Sequence, residues 1–290
     1  MATRLKSSMP NKTADSKPTQ NLVGNNNPPM GHASPATSKR DELFRTPLAD
    51  ISGFQFDQHV VDVFPDMLER SIPGYRSIIA QSGLLAARFI QADTHCFDLG
   101  CSLGSTLLAM RHAIDTRNAD NCRLVGVDNS VAMLEECQRL IDRDTNADVN
   151  TTNETLLPVD LVLADIADVP LQPASVVAMN FTLQFVAPGE RDTLLQKICD
   201  ATVSGGALIL SEKIKFDDTT LNDLYIDRYH AFKRANGYSD LEISQKRSAL
   251  EDVLVPDTLE THQARLSAAG YAHSAVWFQC FNFVSIIAVK

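Results

Sequence analysis

Between residues 95 and 214 short apolar runs alternate with amphipathic stretches. The runs 95–100 (HCFDLG), 123–128 (RLVGVD), 159–165 (VDLVLAD), 175–185 (SVVAMNFTLQF) and 206–214 (GALILSEKI) have the length and side-chain types of buried strands. Helical periodicity falls between them over about 103–116, over about 130–142, and from the segment PGERDTLLQKI that begins at Pro188. Strands that alternate with amphipathic helices predict a parallel, doubly wound α/β sheet of Rossmann-like type. Two further apolar runs, SAVWFQCF and VSIIAVK, close the chain and predict an antiparallel hairpin at one sheet edge. Residues 216–270 read as mainly helical and polar, with a helical insertion over about 216–255. From Arg40 to Phe89 two helical patterns flank SIPGY, and the second sets Ile78, Ile79, Leu84, Leu85 and Phe89 on one face. The expected organisation is a helical cap over 41–90 and a Rossmann-like ligand-binding domain over 91–290.

Composition adds a tail and a charge asymmetry. Residues 1–40 are rich in Asn, Pro, Ser, Thr and Lys and show no periodicity that would bury a face, so they are expected to be a disordered basic tail. That tail holds six Lys or Arg and one Asp, leaving twenty basic against thirty-five acidic residues beyond it. A folded part that acidic repels phosphate backbones, and direct nucleic-acid binding is not expected. No apolar run has the length of a membrane span, and the first residues lack both the apolar stretch of a signal peptide and the Arg-rich helix of an organellar presequence, which makes a cytoplasmic protein the expectation. Cys96, Cys101, Cys122, Cys137, Cys199 and Cys280 form no CxxC pair, so buried reduced thiols are expected rather than a zinc site or a disulfide framework.

In open α/β sheets a ligand sits beyond the carboxyl ends of the strands, so the residues where strands stop carry the functional signal. The first strand stops at Asp98-Leu-Gly100-Cys101-Ser102-Leu-Gly104, a turn that lets a ligand approach the backbone. A dinucleotide fingerprint would place glycines at 102 and 105, where this chain has Ser102 and Ser105; a ligand without a pyrophosphate, such as S-adenosylmethionine, fits better than NAD. Asp128-Asn129 ends the second strand, and its carboxylate suits two ribose hydroxyls or, alternatively, an N-cap. Asp165-Ile166 ends the third, offering an acceptor for an exocyclic amine and an aliphatic cover for adenine, or else an exposed loop acid. Asn180 ends the fourth, where it meets the amino-acid end of such a ligand or serves as a satisfied core amide. Four suitable residues in order at four strand ends imply an S-adenosylmethionine site, and no metal is implied.

The segments VFPDMLERSIPGY, DLGCSLG, NFTLQF, LSEKI, FKRANGYSDLEISQKRS and ETHQARL, with the later AGY and WFQCFNF, closely resemble carboxy-S-adenosylmethionine synthases over about residues 41–290. The resemblance implies a class I methyltransferase-like fold and cofactor contacts at Tyr75, Gly100, Cys101, Ser102, Asp128, Asn129, Asp165, Ile166, Asn180 and Arg247. Tyr75 and Arg247 rest on it alone. It further implies that prephenate yields phenylpyruvate while its carbon dioxide ends on the methyl group of S-adenosylmethionine, with Arg247 anchoring the new carboxylate in its own site or in a neighbour's across a homodimer. The product is then used by a separate enzyme that carboxymethylates a hydroxylated wobble uridine of tRNA. No catalytic residue is assigned: His59, His112, His230, His262 and His273 follow no catalytic spacing, and the resemblance implies a base drawn from the hydroxide that prephenate releases. The polar stretch over about 142–158 departs from the family. Two other readings stay open at this point: an ordinary methyltransferase, which needs no cation at the methyl group, and a non-catalytic scaffold that binds the cofactor for a tRNA-modifying partner.

Overall fold

The computed structural model describes residues 39–48, 54–148, 156–251 and 253–290. The basic tail up to residue 38 lies outside them. Helix α1 (Gln58–Ser71) starts at Asp57, whose side chain accepts from the backbone N–H groups of His59 and Val60, an N-cap that satisfies otherwise orphaned donors. Ile72, Pro73 and Gly74 turn the chain into α2 (Tyr75–Phe89). The alternating part then runs β1 (His95–Leu99), α3 (Ser105–Ala113), β2 (Arg123–Asp128), α4 (Val131–Asp148), β3 (Val159–Leu163), β4 (Ala174–Asn180), α5 (Arg191–Ala201) and β5 (Thr202–Lys213). Helices α6 (Thr219–Ala235), α7 (Asp240–Leu250) and α8 (Leu259–Ala269) precede the terminal strands β6 (His273–Cys280) and β7 (Phe283–Val289).

The sheet order is β3-β2-β1-β4-β5-β7-β6. β1 to β5 are parallel, while β7 runs antiparallel to both β5 and β6, so the terminal hairpin closes one edge. Strand order reverses between β1 and β4, the switch point where α/β sheets open a cleft.

Both sheet faces are buried, and the alternation of side chains along each strand shows it. Phe97, Leu99, Val177, Met179, Leu208 and Leu210 pack with Leu194, Leu195 and Ile198 of α5 and Leu266 of α8. Cys96, Val176, Ala178 and Ile209 face the other way, toward Ala86 of α2, Leu107 and Met110 of α3 and Cys137 of α4. Gly83 brings α2 against α3, since a Cβ there would meet the Ala109 carbonyl oxygen at 2.5 Å.

β3 stops at Leu163, two residues short of Asp165, and β5 starts at Thr202, four residues before its apolar run; two further differences have a clear cause. α4 extends to Asp148 rather than ending near 142, so the first part of the polar stretch is helix. The reason is a tertiary clamp: the buried Arg111 of α3 donates to Asp144 at 3.0 Å and to Thr145 at 2.9 Å, holding an extra turn that polar composition alone does not announce. The fourth apolar run stops being a strand at Asn180, because Phe181 takes a φ of +63° and residues Leu183–Phe185 form a 3-10 turn.

Candidate functional site

All the residues at the parallel strand ends face one rim of the sheet. The Gly100 turn after β1 is tied to β2 by the N–H groups of Gly100 and Cys101, which donate to the Val127 carbonyl at 2.8 and 3.0 Å. Gly100 has a φ of +80°, and a Cβ there would strike the Thr182 side chain across the switch point. Only glycine meets both demands. Ser102 adopts a φ of +47° and Phe181 one of +63°. These two non-glycine residues sit in the left-handed region at the ends of β1 and β4, the kind of strained backbone that concentrates at ligand clamps.

Asp128 joins the two loops. Its carboxylate accepts from the N–H of Ser102 at 2.9 Å and from the N–H of Ser130 at 2.9 Å, so it orders the first loop and starts α4 together. Burial raises it above the ordinary carboxylate range despite those bonds. Asn129 beside it is exposed, as is Asp165, whose carboxylate accepts from the Ala167 N–H at 2.9 Å; Ile166 is half-buried. Cys101 is buried against Cys137, and the contact between the two sulfurs, with burial, pushes its thiol well up. All six cysteines are free.

Asn180 is engaged by protein on both ends of its amide. Nδ2 donates to Thr106 at 3.1 Å and Ser82 at 3.4 Å, and Oδ1 accepts from Ser211 at 2.6 Å. The side chain thereby fixes α2, α3, β4 and β5 at one point. Tyr75 opens α2, with its ring 6.5 Å from that of Phe181; burial pushes its phenol up to about 12, against the pull of a bond with Ser105. Arg247 lies exposed on α7, within electrostatic reach of Lys213 at the end of β5 and of His230 on α6.

Several site residues escaped the sequence reading. Asp98 is 2% exposed, its Oδ2 has no hydrogen-bond partner, and burial with the nearby Asp128 carboxylate pushes it up to about 8. Glu212 is buried and accepts from the N–H groups of Leu183 and Gln184, both at 2.9 Å, fixing the turn after β4. Burial pushes it up to about 8 even though those N–H groups and Arg191 pull it down. Applying the strand-end rule once more, to the fifth strand, points to Glu212 and Lys213 in LSEKI. Thr182, by contrast, is linked to Gly100 only through space, and nothing local in the sequence marks it.

Of the histidines, His59 and His273 are exposed, and His112 pairs with Asp144 at 2.6 Å. His262 is buried without a partner for either ring nitrogen, and burial lowers it to about 4. His230 is half-buried near Lys213, Lys233 and Arg247, and burial with those cations lowers it.

The rim thus offers carboxylates and close backbone beyond β1 to β3, an amide at β4, and Lys213 at the end of β5 with Arg247 and His230 near it. That order suits a nucleoside bearing a sulfonium and an amino-acid end. The unpartnered buried acceptor of Asp98 and the Gly100 turn fit such a group, while a pyrophosphate would meet acids where it needs donors.

A model of the methyltransferase-domain family matches residues 96–206. The carboxy-S-adenosyl-L-methionine synthase of Escherichia coli O1:K1 / APEC is 50% identical over 253 residues, 87% of this chain and 98% of that protein. Among solved structures, a putative S-adenosyl-L-methionine-dependent methyltransferase from Methanococcus maripaludis aligns with a TM-score of 0.50 at 19% identity, covering 84% of this chain and 97% of that one. Human N-acetylserotonin methyltransferase in complex with S-adenosylmethionine aligns with a TM-score of 0.52 at 15% identity, covering 88% and 63%. Both structural likenesses speak to the fold alone.

Proposed function

The chain belongs to the carboxy-S-adenosyl-L-methionine synthases and is an S-adenosylmethionine-dependent transferase; from that premise we propose that it converts S-adenosylmethionine and prephenate to carboxy-S-adenosylmethionine and phenylpyruvate. The identity shared with a named synthase along 98% of that protein's length carries the reading. The balance is closed by water. Prephenate releases carbon dioxide and its ring hydroxide, the hydroxide takes a proton from the methyl group that the neighbouring sulfonium has acidified, and the methyl carbon bonds the carbon dioxide.

The residues divide the work by strand. Asp128 and Asn129 take the ribose hydroxyls, Asp165 and Ile166 the adenine, and the Gly100–Ser102 turn lies along the amino-acid end, with Asp98 beneath as acceptor. Asn180 acts mainly by fixing the rim, since its amide is already engaged on both sides. Tyr75 and Phe181 form an aromatic wall that keeps water from the reacting carbon. Arg247 presents a planar donor fork to the new carboxylate. The chain's own histidines are not needed as bases in this scheme.

We further infer a cytoplasmic homodimer whose product passes to a separate enzyme that carboxymethylates a hydroxylated wobble uridine of tRNA. The acidic excess beyond residue 40 supports leaving the RNA to that enzyme. Leu221 and Leu224 on α6 and Leu241 on α7, 40–49% exposed, supply apolar surface for a second copy. No described helix is long and apolar enough to cross a membrane.

The test is mass spectrometry of S-adenosylmethionine incubated with the protein, with and without prephenate, and with Arg247→Leu. The cofactor gains the mass of carbon dioxide only with prephenate, and the variant loses about ten- to a hundredfold in rate, the worth of a charged hydrogen bond. Cofactor binding with no such product would refute the activity; an unchanged rate in the variant would refute the anchor.

A further inference from the structure

Two lysines behind the aromatic wall have no assigned task. Lys213 is the last residue of β5, two positions past Ser211, which pairs with Asn180 across the sheet, so it stands on the same rim as the cofactor residues. Its Nζ lies 4.9 Å from the ring centroid of Tyr229 on α6, and Lys233, one turn along α6, approaches the same ring at 5.1 Å. Tyr229 meets Phe283 at 5.1 Å, Phe283 meets Phe181 at 6.1 Å, and Phe181 faces Tyr75. A continuous run of rings therefore leads from the cofactor residue Tyr75 to both ammonium groups.

Neither ammonium has a hydrogen-bond acceptor or an ion-pair partner among the described residues, although Lys233 is only 4% exposed. Lys246, on α7 nearby, shows the difference: it donates to Ser71 at 3.2 Å and pairs with Asp41 at 3.6 Å. Asp41 attracts Lys233 from beyond ion-pair distance, and that attraction does not offset the cost of burying the cation. Burial, with the charges of Lys246 and Lys213, lowers Lys233 to about 7, and burial with the Arg247 charge lowers Lys213 to about 8. An incoming anion would hold both in the charged form.

We propose that Lys213 and Lys233 form a subsite for an organic carboxylate, the one that the acid substrate keeps through the reaction. The proposal rests on the reading that this substrate is a dicarboxylate. The carboxylate that departs as carbon dioxide must shed its charge, and cations holding it tightly would stabilise the ground state and slow its loss. The retained carboxylate carries no such penalty, so two ammonium groups around the Tyr229 ring, at the far end of the aromatic wall, suit it. The ring that becomes aromatic would lie along Tyr229 and Phe283, with the departing group directed toward the cofactor's methyl carbon.

The test is calorimetry on the full chain saturated with S-adenosylhomocysteine, which permits no turnover, using phenylpyruvate and prephenate as probes. Wild type binds both; Lys213→Met and Lys233→Met bind each at least about tenfold more weakly, as loss of a charged hydrogen bond predicts, with the S-adenosylhomocysteine Kd changed less than about twofold. Lys233→Arg keeps the charge and restores much of the binding, which a packing defect would not allow; should Lys233→Met not fold, Lys213→Met, at a half-buried position, carries the test. Variants that bind the probes as wild type does, or that lose S-adenosylhomocysteine in step with them, overturn the subsite. Wild-type binding of prephenate in the calorimeter, with no carboxylated cofactor formed once S-adenosylmethionine replaces S-adenosylhomocysteine, instead defeats the proposed reaction and leaves the subsite standing.

Discussion

Asp98 is the residue where the environment speaks most directly. It is enclosed, one oxygen lacks a partner, and the nearest charged neighbour is another carboxylate. Because its folded-state value of about 8 lies above the ordinary 3.8, the folded protein holds this proton more tightly than the unfolded chain does. Its stabilising contribution is therefore full below about 3.8 and is lost as pH rises through about 8. Asp98→Asn, which imitates the protonated acid, flattens the fall of Tm between about pH 5 and about pH 8 relative to wild type. Parallel curves for the two proteins, measured by calorimetric melting without ligand, would show that Asp98 is ionised throughout.

At the scale of elements, the rim depends on what fastens the ends of β4 and β5. Glu212 supplies both acceptors for the turn that follows Asn180 and Phe181, and that turn carries Thr182 against Gly100. Above about pH 8, where Glu212 is ionised, Glu212→Gln keeps one acceptor and turns an N–H₂ toward the other donor, which costs about 1–3 kcal/mol for a buried unsatisfied group. Urea unfolding should show a lower midpoint at unchanged m-value, accompanied by weaker S-adenosylmethionine binding. An unchanged midpoint would mean the turn is held by packing alone.

The elements also show what could be read in advance and what could not. Alternating apolar runs announce the parallel strands because both faces of each are buried, and the closing pair reads as an edge hairpin for the same reason. Strand-end chemistry brings Gly100, Asp128, Asp165 and Asn180 to one rim, since chain direction in a parallel sheet fixes where every strand stops. α4 outruns its apolar pattern because Arg111 reaches it from α3, across more than thirty positions of sequence. Asn180 illustrates a subtler gap: its position follows from the strand, but the saturation of its amide by Ser82, Thr106 and Ser211 comes from three other elements. The pairing of Lys213 with Lys233 likewise depends on how α6 folds back over the end of β5, which no local pattern states.

Across the molecule the two signs are mixed in ion pairs, but at the rim they are unevenly placed. The chain carries 36 acidic and 26 basic residues, yet Lys213, Lys233, Arg247 and His230 gather beyond β5, on the side of the switch point away from the acids that flank β1, β2 and β3. On the proposed reading, a sulfonium nucleoside on the acidic side and a dicarboxylate on the basic side would meet at the aromatic wall between them, two substrates of opposite charge around one reacting carbon. The central claim, that a carboxylate carbon moves from the acid to the cofactor's methyl group, is tested most directly with prephenate carrying carbon-13 in its ring carboxylate. Mass spectrometry is predicted to find the label in the carboxymethyl group of the modified cofactor, with unlabelled phenylpyruvate beside it. S-adenosylhomocysteine accumulating in place of the carboxylated cofactor, or a carboxylated cofactor without label, would contradict it.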